Sequence, residues 1–207
     1  VSLQLTAANL KKVFNRRVIF QNISFSVQQQ QTLLITGRNG SGKSTLVKIL
    51  SDVLSPTDGT VSLSPLDGAK NFQRTSVIGL VSPYLQMYEE FSAEENLQYA
   101  LAIRGIASDT DRIHALLKKV FLFERRNDAV RTFSSGMKQR MKYAFALIHN
   151  PSILILDEPT SNLDTEGITM VKQIMSEQIQ HGILIVATND LSDVEHCDVQ
   201  VDLNGQR

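Results

Sequence analysis

Eight consecutive residues, Gly37-Arg38-Asn39-Gly40-Ser41-Gly42-Lys43-Ser44, fit the spacing G-x-x-x-x-G-K-[ST]. The chemistry this segment can do is to hold the phosphates of a nucleotide. Glycine reaches backbone angles closed to other residues, so successive N–H groups of the loop can turn inward around phosphate oxygens. The helix that leaves the loop, with Thr45 in its first turn, adds the positive end of its dipole. Lys43 places a charge on the β- and γ-phosphates, and the Ser44 hydroxyl suits Mg²⁺. The bland alternative is an ordinary strand–turn–helix connection. Against it stands the context, an apolar run Thr32–Ile35 entering and a helical pattern Ser44–Leu50 leaving. A loop of this kind indicates phosphate binding and no more, because kinases, GTPases and motor ATPases all use it.

A second pair of reactive groups sits at the end of Ile153-Leu154-Ile155-Leu156-Asp157-Glu158-Pro159. Acids at the carboxyl end of a buried parallel strand lie at the crevice where such sheets bind ligands. Asp157 is suited to Mg²⁺, and Glu158 to polarising an attacking water as general base. Alone, Asp-Glu-Pro reads more simply as a polar strand exit; beside a phosphate loop the balance reverses. Phe133-Ser134-Ser135-Gly136-Met137 precedes an amphipathic helix. Ser134 can cap it, leaving its first N–H groups and dipole to meet an anion, although a capped helix is also the common structural case.

The elements that position these residues are legible as β-type runs, Leu3–Leu10, Val18–Val27, Thr60–Leu63, Val77–Val81, Ile153–Leu156 and Ile183–Ala187. The last two are apolar without alternation, as expected of strands covered on both faces of a parallel sheet. The first two flank a polar Asn15-Arg16-Arg17 turn. Between Val81 and Pro151 the periodicity turns helical. Leu97, Ala100 and Leu101 share one face; Ile113, Leu116, Leu117, Val120 and Phe121 share another, with Ser108 and Asp111 as a capping box; Met137, Met141, Ala144, Phe145 and Ile148 form a third stripe. The expected fold class is α/β, a mainly parallel core sheet with an N-terminal antiparallel β part and an inserted helical subdomain. Residues 1–82 and 150–207 would form the core, and 83–149 the insertion, within one domain spanning 1–207.

Composition narrows the class further. The 21 basic and 21 acidic residues cancel, so no overall field favours nucleic acid or anionic lipid. No apolar run approaches the roughly 20 residues that span a bilayer, and no secretion signal opens the chain. A single cysteine, Cys197, cannot form an internal disulfide. These features suggest a cytoplasmic protein.

Taken in order along the chain, these motifs resemble the ATP-binding domain of ABC transporters. Phe133–Met137 is similar to that family's Leu-Ser-Gly-Gly-Gln sequence, Asp157-Glu158 to its second Walker motif with the catalytic glutamate, and Ser161-Asn162-Leu163-Asp164 to its dimer-contacting loop. The resemblance implies a P-loop NTPase fold of ABC type, ATP and Mg²⁺ as cofactors, and Phe14 as the aromatic that stacks on adenine. It also implies a head-to-tail dimer in which Ser134 and Gly136 of one copy meet ATP held by Lys43 of the other. The helical insertion would dock a membrane-spanning subunit, placing the chain peripherally on the inner face of the cell membrane. The chain is similar in length to the ATP-binding subunit of the cytochrome c-type haem exporter.

Four positions depart from the family pattern. Its switch histidine aligns with Asn189, which can donate a hydrogen bond to phosphate but cannot become a cation. Its glutamine before the helical part aligns with Pro83, leaving nearby Gln86 as the candidate for Mg²⁺ or water. Ser135 and Met137 replace a glycine and a glutamine. Hydrolysis is therefore expected to be retained through Glu158 but slowed. A weakly hydrolysing regulatory subunit and a non-transport ABC ATPase are the alternatives. The latter lacks support, since neither a long coiled-coil insertion nor a basic stripe is present.

Overall fold

The computed structural model describes residues 3–65, 74–194 and 196–205. Two sheets make up its β structure. Strands β1 (Leu3–Phe14), β2 (Arg17–Gln28) and β4 (Asp58–Pro65) form an antiparallel sheet in the order β2-β1-β4. Strands β3 (Thr32–Thr36), β5 (Ile78–Val81), β6 (Ile153–Asp157), β7 (Ile183–Ala187) and β8 (Val199–Asp202) form a parallel sheet in the order β5-β6-β7-β3-β8. The antiparallel strands run beyond the sequence-based limits, because β1 and β2 continue pairing to Phe14↔Arg17. Asn15 and Arg16, both with positive φ, close that hairpin. This conformation is uncommon outside glycine and most tolerable for asparagine.

Every residue of β3, β6 and β7 is buried, which explains their apolar runs. Successive side chains of a strand point to opposite faces, and here each face has its own core. Leu34, Leu154, Leu156, Leu184 and Val186 face one apolar cluster; Leu33, Ile35, Ile153, Ile155, Ile183 and Ile185 face the other. The second cluster is completed by Leu5, Leu10 and Phe20 of the antiparallel sheet and by Leu46 and Leu50 of α1 (Lys43–Leu50). Each such side chain contributes roughly 1.5–3 kcal/mol by leaving water. Strand β6 is thus clamped from both sides, and its carboxyl end is held still.

The first cluster is completed by helices. After the short α2 (Arg74–Val77), helices α3 (Ala93–Ala102), α4 (Thr110–Lys119) and α5 (Ser135–Leu147) all fall between β5 and β6, and α6 (Thr165–His181) links β6 to β7. Leu97, Ala100, Leu101, Ile113, Leu117, Met141 and Ala144 are buried with Leu154 and Leu156 of the sheet. A capping box opens α3: the Glu95 amide donates to Ser92 Oγ (3.1 Å), and the Ser92 amide to Glu95 Oε2 (2.7 Å). Helix α4 corrects one expectation. Its cap is Asp109, whose carboxylate accepts from the Arg112 amide, not Ser108 one residue earlier. Phe121 also differs, since it lies past the helix end with φ 57° and is exposed, its ring lying under the Arg140 guanidinium.

Candidate active site

The loop from β3 to α1 owes its shape to glycine. Gly37, Gly40 and Gly42 have φ of 147°, 78° and 111°, angles that side chains rarely adopt. A Cβ on Gly42 would also lie 2.7 Å from Ile19 Cγ2 on the antiparallel sheet. Gly42→Ala is therefore expected to cost about 1–3 kcal/mol in backbone strain and contact, seen as a lower melting temperature and weaker ATP binding. Parental values for both would refute this account of the loop. Helix α1 begins with Gly42 as its N-cap and no side-chain capping bond, so its first N–H groups remain available for an anion. Arg38, Asn39 and Ser41 line a cleft of about 410 Å³ beside this loop, closed on its other side by Leu203, Asn204 and Gly205. Gly40 and Arg38 are exposed at the loop tip, while Ser44 and Thr45 occupy the first turn of α1, half-buried.

Lys43 is nearly buried, and its Nζ donates to the Gly37 carbonyl at 2.8 Å. The same Nζ stands 3.4 Å from Oε1 of Glu158, whose side chain is 31% exposed. Two residues far apart in sequence thus meet at one point, at the carboxyl ends of β3 and β6. Glu158 holds φ at 52°, a left-handed conformation that costs a non-glycine residue about 1–3 kcal/mol and persists only when its surroundings over-determine it. One restraint is its own amide, which donates to the Ala187 carbonyl at 2.8 Å.

Asp157, one residue earlier, is fully buried, and neither carboxylate oxygen has a hydrogen-bond partner among the described residues. Burial above all pushes its carboxyl pKa up; the nearby Ser44 hydroxyl opposes this, and the Glu158 charge adds to it. An orphaned carboxylate beside a hydroxyl is the donor set of a hard divalent cation, so the residues fit Mg²⁺. Gln86 is exposed, in a groove with Ser135, Lys138 and Asn162. The Pro83 carbonyl accepts from Lys142 Nζ at 3.3 Å.

Phe14 ends β1 with its ring 43% exposed, and Lys12 Nζ lies 4.8 Å from the ring centroid. Ser134 caps α5 by accepting from the Met137 amide, and Gly136 abuts the Asn162 carbonyl, where a Cβ would sit 3.2 Å away. Ser134 and Gly136 belong to the start of α5, in the helical segment between β5 and β6, whereas residues 37–45 join β3 to α1. Asn189 is exposed just after β7. His181 ends α6, and His196 is exposed beside Asp198, neither at the phosphate loop.

A polar cluster that sequence reasoning passed over lies beneath Glu158 and Asn189. The Thr160 hydroxyl donates to Asp193 Oδ1 at 2.9 Å and the Thr188 hydroxyl to Oδ2 at 2.6 Å. The buried Tyr143 hydroxyl of α5 donates to the Pro159 carbonyl at 2.7 Å, and burial followed by the Asp193 charge raises its pKa well above the ordinary value. No spacing rule links these residues, so no sequence signal pointed to them.

Comparison with known proteins gives the family likeness of the chain. Residues 20–161 match a family described as ABC transporter. The lantibiotic transport ATP-binding protein SrtF of Streptococcus pyogenes is 35% identical over 193 residues, 93% of this chain and 82% of that protein. The lipoprotein-releasing system ATP-binding protein LolD of Pseudoalteromonas translucida is 30% identical over 203 residues, 91% of this chain and 88% of that protein. A solved dimeric structure of a bacterial ABC transporter cassette shares the fold, with a TM-score of 0.83 at 22% identity over 96% of this chain and 94% of that one.

Proposed function

The chain belongs to the ABC transporter family of ATP-binding domains, and from that membership we propose that it is the ATP-hydrolysing motor subunit of a transporter, driving a separate membrane-spanning partner. The observation that carries the catalytic part is the meeting of Lys43 and Glu158 at 3.4 Å beside the glycine loop.

The loop amides and Lys43 take the β- and γ-phosphates, and the exposed face of Phe14 takes the base. Arrival of the γ-phosphate gives Lys43 a new anionic partner in place of Glu158. The freed carboxylate then accepts a proton from the attacking water, which adds to phosphorus as the bond to the β-phosphate oxygen breaks. Asp157 and Ser44 would hold Mg²⁺, which when bound neutralises charge on the β- and γ-phosphates. Pairing of two copies head to tail brings Ser134 and Gly136 of the second copy to the γ-phosphate. This reading is supported by the dimeric form of the similar cassette.

No helix among the described residues is long and apolar enough to cross a membrane; in this reading the partner supplies the path through it. Docking falls to the helices within residues 83–149, which places the chain on the cytoplasmic face of the membrane. Copurification with a membrane-spanning subunit tests this. Its failure under conditions that preserve ATP turnover would argue for a non-transport role.

Asn189 favours a second reading, a subunit that binds ATP but turns it over slowly. Asn189→His is expected to raise kcat by about tenfold, a modest share of what a well-placed acid–base group contributes. An unchanged rate would remove residue 189 as the limitation. Turnover by the purified chain, with and without Mg²⁺, separates motor from regulator: ATP binding with no turnover favours the regulator.

A further inference from the structure

The buried carboxylate of Asp193 is not part of any phosphate-binding motif, yet it sits between the two loops that carry Glu158 and Asn189. We infer that Asp193 is a positioning residue that locks these loops together, so that the base and the γ-phosphate contact keep a fixed relation during hydrolysis. This rests on the roles proposed above for Glu158 and Asn189.

Both oxygens of Asp193 are used. Oδ1 accepts from Thr160, two residues beyond Glu158, and Oδ2 accepts from Thr188, the residue before Asn189. The inventory closes at Thr188: its hydroxyl gives its one proton to Asp193 while its oxygen accepts from the Asp190 amide at 3.0 Å. Asp193 is itself set by the 3₁₀ turn Leu191–Asp193, capped by the Asp190 carboxylate accepting from the Ser192 amide. Bonds from hydroxyls to a carboxylate are about twice as strong as neutral ones; the Thr188 bond is short and buried, the Thr160 bond longer and part-buried. Together with the Glu158 amide on the Ala187 carbonyl, they cross-tie the loops at two successive levels. A strained residue such as Glu158, at φ 52°, needs that redundancy. An apolar filling of the same space would suffice for packing alone, since an isolated buried acid is costly unless its partners are needed.

The test uses the full chain and substitutions that keep volume while deleting one hydroxyl. Thr160→Val and Thr188→Val are each expected to lower kcat by about tenfold, because small displacements of a reacting group are expensive. ATP affinity should stay within about threefold, the signature of an effect confined to the transition state. Thr160→Ser and Thr188→Ser, which restore the hydroxyl, should return kcat to near the parental value. Amide hydrogen exchange supplies a readout independent of turnover: Thr160→Val on one loop should speed exchange across residues 187–194 of the other. Asp193→Ala should loosen both segments. If that variant fails to fold, the threonine pairs still decide the matter.

Unchanged exchange across 187–194 in Thr160→Val, or equal loss of kcat and ATP affinity, overturns the inference. A parent that binds ATP but does not hydrolyse it would instead overturn the proposed enzymatic role, while the exchange comparison continues to test the coupling of the loops.

Discussion

Glu158→Gln is expected to lower kcat for ATP by about 10²–10⁴-fold, the range typical of a lost general base. The amide keeps the shape of the side chain and its hydrogen-bonding reach, but it cannot take the proton from water. The backbone restraints on Glu158 do not involve its side chain, so its left-handed turn and the amide bond to Ala187 should survive. What changes locally is the partner of Lys43, which faces a neutral group instead of a carboxylate at 3.4 Å. ATP then competes with no anion for that ammonium, and its affinity should hold or rise. Single-turnover phosphate release and nucleotide titration together check this. Parental release by the variant would remove Glu158 as base, whereas parallel loss of binding would reassign it to nucleotide contact.

Asp157→Asn is expected to weaken Mg²⁺ binding and lower turnover with it and, at neutral pH, to make the metal-free protein more stable. The cause is the buried carboxyl, whose pKa is raised mainly by burial against the opposing Ser44 hydroxyl. With the folded pKa above the unfolded one, the folded state retains this proton as pH climbs while the unfolded state has already lost it. The unfolded state therefore binds fewer protons across that window, and stability falls with rising pH until the folded pKa is passed. Above the folded pKa the penalty on the charge is complete, and removing that charge should raise the melting temperature, although the buried amide that replaces it keeps a desolvation cost of its own. The gain should shrink toward zero in acid, below the unfolded carboxyl value. Melting curves from pH 4 to 8 make the comparison: variant and parent should diverge as pH rises. Added Mg²⁺ should raise the melting temperature of the parent alone. Coincident curves at neutral pH, or an equal response to Mg²⁺, would show that Asp157 carries no such burden.

Both variants act at a point that neither local segment defines. The glycine loop is legible in sequence because its function is local: eight adjacent residues need particular backbone angles, and residue type reports them directly. The doubly covered strands are equally legible, since burial on both faces of β6 and β7 forces unbroken apolar runs. Capping is less secure. Ser108, Asp109 and Asp111 all can cap, and only the path of the chain into α4 selects Asp109.

The amino-acid sequence by itself determined the phosphate loop, the acids that close the Ile153–Leu156 run, and the α/β class, because propensity and periodicity act over a few residues. Tertiary structure alone decided that Lys43 meets Glu158, that Ile19 leaves no room for a side chain on residue 42, and that Asp157 is fully buried. It also decided that Asp193 joins Thr160 to Thr188. These are contacts between segments distant along the chain, and their geometry is set by how two sheets and their helices pack, which no short window of residues encodes.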